Sequence, residues 1–199
     1  MPPIEARRQW RRAPGRRQHG LVTVEMALVL GWFLAAVFMT MEVARFLFVL
    51  NTAQVVTARA ARAAAVTDWR AADAIASLKR TALFRASEGG IPLMPELNTA
   101  TLKIDYLSMT REGVLGPVTP MPACPQQNLV NCAADIYGAA CIRAVRVRIC
   151  AAGSANCAPL KYQTVAGLVP MPLNLAVPMS TTIVKSESLG LGPGEIACP

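Results

Sequence analysis

The sequence predicts an α+β protein in which a long N-terminal transmembrane and spine α-helix leads into a short helix and a small antiparallel β-sheet domain. Three observations carry this. From Leu21 to Met41 only Thr23, Glu25 and Thr40 are neither apolar nor glycine. The chain then runs without proline or glycine to Val66, and beyond Pro92 and Pro95 its apolar period falls to two.

The first 20 residues hold Arg7, Arg8, Arg11, Arg12, Arg16 and Arg17 against Glu5 alone, so much of the formal charge of +8 sits there. A basic run beside an apolar segment keeps a terminus in the cytoplasm, where it also meets anionic lipid. No basic face interleaved with aromatics follows residue 20, which argues against a nucleic-acid partner. The apolar segment would make a helix of about 31 Å, matching a hydrocarbon core of about 30 Å. A hydrophobic content of 53% agrees with one membrane span. The expected organisation is a cytoplasmic leader at 1–20, a transmembrane and spine helix at 21–66, and an extracytoplasmic α+β domain at 67–199. The expected location is the inner membrane, single-pass.

The Ala-rich run ARAARAAAV ends the spine with strong helix formers. Glu42 and Arg45, three residues apart, share a face and can pair near the lipid boundary, the alternative being an ordinary solvated pair. Asp68 is a good N-cap residue, and Ala72, Ile75, Leu78 and Ala82 follow at helical spacing, which predicts an amphipathic helix over 68–84. Three strands follow. Leu102, Ile104 and Tyr106 alternate with Lys103 and Asp105; Val145, Val147 and Ile149 alternate with Arg146 and Arg148. In the third, Leu175, Val177, Met179, Thr181 and Ile183 share a face, with Pro178 confining it to an edge or bulge. The stretches 111–128 and 154–160 read as loops.

All six cysteines, Cys124, Cys132, Cys141, Cys150, Cys157 and Cys198, lie in the C-terminal half, which points to disulfides in an oxidising compartment. The alternative is buried free thiols. Six cysteines allow 15 complete pairings. Cys141 and Cys150 bracket a predicted strand and stand too far apart to bond if it runs straight; Cys124 with Cys132 is the favoured local pair. No cysteine pair is spaced C-x-x-C. His19, the only histidine, lies in the leader, so the outer domain lacks a partner for a Ser-His or Cys-His arrangement or a metal cluster. Gly89-Gly90 and the G-L-G-P-G at 190–194 are not phosphate loops. Asp105, Glu112, Asp135, Glu187 and Glu195 form no acid/base pair. Catalysis, metals and cofactors are therefore not expected.

A carboxylate costs a few kcal/mol inside a bilayer, so Glu25 is a functional candidate. Gly20 and Leu21 with Glu25 and Met26, then E-V-A-R-F-L-F-V-L-N from Glu42 to Asn51 and the small-residue helix around Ala58 to Ala65, resemble the type IV pilin-like proteins. The closer resemblance is to the TadE-like minor pseudopilins of the tight-adherence pilus, over about the first 70 residues. Met26 and Leu21 depart from the aromatic residues usual there. The resemblance implies cleavage after Gly20 by a prepilin peptidase, with other pilin or pseudopilin subunits and inner-membrane pilus assembly proteins as partners, and roles for Glu25, Glu42 and Arg45 in assembly. Independently of it, cleavage would free an α-amine at Leu21 beside a helix start, which a carboxylate one turn on can neutralise within a subunit or between subunits. A glutamate that merely reaches the headgroups is the bland alternative. Two other readings compete: an uncleaved signal-anchored binding protein, and a secreted protein with Arg16-Arg17 as a twin-arginine signal and cleavage near Ala60 or Ala65.

Overall fold

In the structure, a computed structural model, the described residues are 19–92, 94–164, 176–192 and Cys198. The leader, apart from His19 and Gly20, and Leu175 of the third expected strand lie outside them. A boundary between two compact units falls after Met41. Helix α1 spans His19–Ala65, within two residues of the expected bounds at each end. In its part up to Met41 nearly every side chain is exposed, and one apolar window long enough to cross a membrane is wholly unburied.

From Glu42 onward α1 behaves differently. Val49, Ala53, Val56, Ala60 and Ala64 recur at helical spacing with at most 1% exposure and belong to the core. Facing residues come from a four-stranded antiparallel sheet ordered β4-β3-β5-β8. Its strands are β3 (Leu102–Met109), β4 (Leu115–Pro117), β5 (Ala144–Ile149) and β8 (Thr181–Lys185). Val145, Val147 and Ile149 of β5 are buried while Arg146 and Arg148 reach the wet face, as the alternation requires. The register sets Asp105 opposite Arg146, and both Arg146 and Arg148 donate to Asp105 Oδ2, at 3.2 and 2.7 Å. Buried Thr57 ties α1 to the last strand. Its hydroxyl lies 3.0 Å from Ser180 Oγ and accepts from Thr182 Oγ1 at 3.0 Å.

Several elements differ from the sequence expectation. Helix α2 is Ala72–Ala82, four residues shorter at its start, because Asp68 accepts from the backbone and guanidinium of Arg70 instead of capping. The stretch 111–128 read as loop holds β4, which pairs with β3, and the start of α3 (Pro125–Ala134): Pro125 occupies the first turn, where a missing N–H costs nothing, and Cys124 Sγ accepts from Gln127 N. Two short pairs, β1 (Gly90–Ile91) with β2 (Met94–Asn98) and β6 (Leu160–Lys161) with β7 (Ala176–Val177), add to the sheet domain. The third expected strand is broken at Pro178 into β7 and β8, and this resets its parity: Val184 is half-buried, while Ile183 and Met179 are exposed.

All six cysteines are bonded, as Cys124–Cys198, Cys132–Cys141 and Cys150–Cys157. The expected Cys124–Cys132 pair does not form. Cys124 caps α3 and Cys132 lies in its last turn, about 12 Å apart along the axis, beyond the roughly 7 Å a disulfide can bridge.

After β8 the chain returns to the end of α1, where Glu187 and Leu189 N–H both donate to Ala65 O at 3.1 Å. Gly190 then adopts φ +87°, and a Cβ there would stand 2.6 Å from Asp68 N. Gly190→Ala should lower domain stability by about 2–4 kcal/mol, from left-handed strain plus the clash. Chemical denaturation of the detergent-solubilised chain checks this; a loss well under 1 kcal/mol would mean the return segment is not held against the end of α1.

Candidate functional site

Two places answer to the residues singled out in the sequence. The first is the head of α1. Gly20, Leu21 and Glu25 are all helical and exposed, and Glu25 has no ion-pair or hydrogen-bond partner among the described residues. A Cβ added at Gly20 would meet nothing within 4 Å. The fold therefore imposes no steric requirement for glycine at the position before Leu21, although glycine in a helix costs about 1 kcal/mol relative to alanine.

The second place lies inside the unit that begins at Glu42. Glu42 and Arg45 pair at 3.5 Å, as their spacing predicts. They are not a solvated surface pair. Both side chains are about seven-eighths buried, and Arg45 also reaches Glu96 Oε1 of β2 at 3.2 Å, with the Glu96 side chain only 1% exposed. Arg45 Nη1 donates to Gln163 O at 2.5 Å, and Gln163 N–H donates to Glu96 Oε1 at 3.1 Å. Tyr162 completes the set by donating to Glu42 Oε1 at 2.7 Å, with its ring 4.9 Å from the Arg45 guanidinium and edge-on to Phe46.

Electrostatically the cluster is one guanidinium shared by two carboxylates. Burial, and then the hydrogen bond to Glu42, push the Tyr162 hydroxyl up to about 12, so it remains a donor throughout the physiological range. Glu96 Oε2 is buried without a hydrogen-bond partner in the described structure. Such a site can fix structure, since each charge is costly without the others. Among the described residues no three His, Cys, Asp or Glu side chains converge as a metal site.

Glu96, Tyr162 and Gln163 were not singled out from the sequence. A signal was present. Glu96 has the same strand parity as buried Met94, and a carboxylate on an inward face demands a cation. Pro92 and Pro95, taken as breakers, concealed β2; Pro95 in fact occupies an exposed position in a two-stranded pair.

Replacing Arg45 with Met should cost about 3–5 kcal/mol of domain stability, because two desolvated carboxylates lose the guanidinium that pairs with both. Glu42→Gln, which keeps an acceptor for Tyr162, should cost about 1 kcal/mol. Parallel denaturation curves distinguish the two; equal, small effects would mean that the cluster is solvated.

Comparison with known proteins matches the chain to no family model, no curated protein and no solved structure.

Proposed function

We propose that the chain is a minor pilin-like subunit of a tight-adherence pilus, anchored by the N-terminal part of α1 in the inner membrane with its cysteine-bearing domain outside. In this reading it acts by assembly and not by catalysis, supporting pilus biogenesis and surface adhesion. The observation that carries it is the conjunction at the head of α1: a glycine the fold does not require, followed by a carboxylate without a partner among the described residues, in a stretch that is otherwise almost entirely apolar and exposed. A prepilin peptidase acting after Gly20 would account for the glycine. The α-amine freed at Leu21, on this subunit or on a neighbour, would account for Glu25.

The core supports this reading over a secreted protein cut near Ala60 or Ala65. Such a cut would remove Val49, Ala53 and Val56, all at most 1% exposed, from the domain they fill. The disulfides support an oxidising location for that domain. Glu42 and Arg45 have their charges engaged inside the domain, so they serve assembly indirectly, by fixing the domain to its own spine. Glu25 is left as the direct contact.

Sequencing the N-terminus of the protein purified from its native host should return Leu21. An intact leader would favour the uncleaved anchor, and a start near residue 61 or 66 would favour secretion. Gly20→Trp should block processing yet leave membrane insertion and domain folding unchanged, because the position is exposed and a Cβ there meets nothing within 4 Å.

Glu25→Ala should leave processing unchanged and reduce crosslinking to other pilin subunits by about tenfold or more, corresponding to roughly 1.4 kcal/mol of contact energy. Glu25→Asp should be intermediate. Crosslinking at the parental level in the alanine variant would remove the carboxylate from assembly.

A further inference from the structure

The unit after Met41 carries a second feature that its architecture does not use. Two adjoining clefts of about 410 and 400 Å³ open on either side of Trp69, which lies between α1 and α2 and lines both. Volumes of this order suit small ligands. Trp69 is half-buried, with its ring tilted against Tyr106 at 6.0 Å between centroids. One flank of the indole is thus braced by the sheet.

The charge around these clefts is unbalanced. Asp68 is held by Arg70 at 2.8 Å and Glu88, which lines the second cleft, by Arg80 at 2.9 Å, so these two carboxylates already have guanidinium partners. Lys79, shared by both clefts, forms no close ion pair among the described residues, its charge acting only at longer range on Glu88, and Lys103, lining the first, has no carboxylate partner among them. Lys103 Nζ donates to Ala155 O at 3.1 Å, which places its ammonium against the loop closed by Cys150–Cys157. In that loop Ser154 Oγ accepts the Ala158 N–H at 2.7 Å and retains its own proton to donate.

We propose that the two clefts form a binding site for an acidic oligosaccharide, with successive sugar units on either side of Trp69 and their carboxylates directed at Lys79 and Lys103. A pyranose presents a flat C–H face that packs on the negative face of an indole, and two cations held in no close ion pair select uronate over neutral sugars. An acidic peptide would satisfy the lysines equally but has no comparable flat apolar face for the indole. The site is independent of the pilus reading, since neither cleft is lined by a residue of the leader or of α1.

The test is calorimetric titration of the full chain in detergent micelles with a short oligogalacturonate, a neutral galactose oligomer of equal length, and polyaspartate. Oligogalacturonate should bind at least about tenfold more tightly than either of the others. Lys79→Gln with Lys103→Gln should weaken it by about tenfold or more and flatten its salt dependence, while Arg146→Gln on the wet face should change it less than twofold. Trp69→Ala should abolish binding and Trp69→Phe, which keeps a flat ring and the fold, should restore most of it. Absence of oligogalacturonate binding, equal binding of polyaspartate, or retention of binding in the double lysine variant would overturn the proposal.

Discussion

The domain depends on the packing of one helical face against one sheet. Val49 and Val56 contribute burial of the order of 1.5–3 kcal/mol each, but most of that face is alanine, whose apolar area is small. Alanine serves in two other ways. It is the strongest helix former, so the helix needs little help from its neighbours, and its short side chain leaves the core volume to larger side chains of the same cluster, Val145, Val147 and Ile149 among them. A core built this way tolerates enlargement poorly, since a larger side chain on the alanine face would displace buried neighbours, at about 1–3 kcal/mol. It also makes the helix inseparable from the domain.

The same constraint explains where the polar interactions sit. A helix–sheet pair with a thin core gains stability from each tie at its margins, and the ties here are specific. Thr57 meets Ser180 and Thr182 in the middle, Ala65 O receives two N–H groups at the outer end, and Arg45 gathers Glu42, Glu96 and Gln163 at the other. The third tie differs in kind from the others. Hydroxyl and carbonyl contacts contribute about 1 kcal/mol each and can be lost singly, whereas a desolvated guanidinium with two carboxylates is stable only as a set. It therefore penalises alternative alignments of β2 and Tyr162 along α1 more than it stabilises the native one. The disulfides act on regions that this core does not reach, namely α3 and the loop after β5.

What could be read from the sequence follows from how far each signal extends along the chain. The apolar span was plain because one residue class repeats over more than five turns, and β3 and β5 because charged and apolar residues alternate strictly there. The pairing of Glu42 with Arg45 was local and therefore visible; their engagement by Glu96 and Gln163 joins residues 51 and 118 positions away from Arg45 and was not. Helix α3 has ten residues, too few for a period to emerge, and it begins at a proline that reads as a breaker unless its place in the first turn is known. The inward face of β8 was misassigned because Pro178 interrupts the strand, and a single added residue exchanges its two faces. Cysteine pairing was not readable because Cys198 is 74 residues from its partner.

Glycines and charges offer a way to separate what the fold requires from what it merely carries. Gly190 is required: its φ is positive and the Asp68 backbone occupies the space of a side chain. Gly20 and Gly31 are not, since both are helical and a Cβ at either would meet nothing within 4 Å. Arg45 is required by two carboxylates, whereas Glu25 has no partner among the described residues and occupies a helix suited to lipid. Each unrequired choice has a local cost, about 1 kcal/mol for a helical glycine and a few kcal/mol for a carboxylate in a bilayer. Gly20, Glu25 and Gly31 concentrate these costs in the first four turns of α1, where the domain core has no atoms to offset them. In the pilin-like reading proposed above, the offset would come from molecules that meet this segment: an enzyme that needs glycine before Leu21, an amine that needs a carboxylate, and a second helix approaching closely at Gly31.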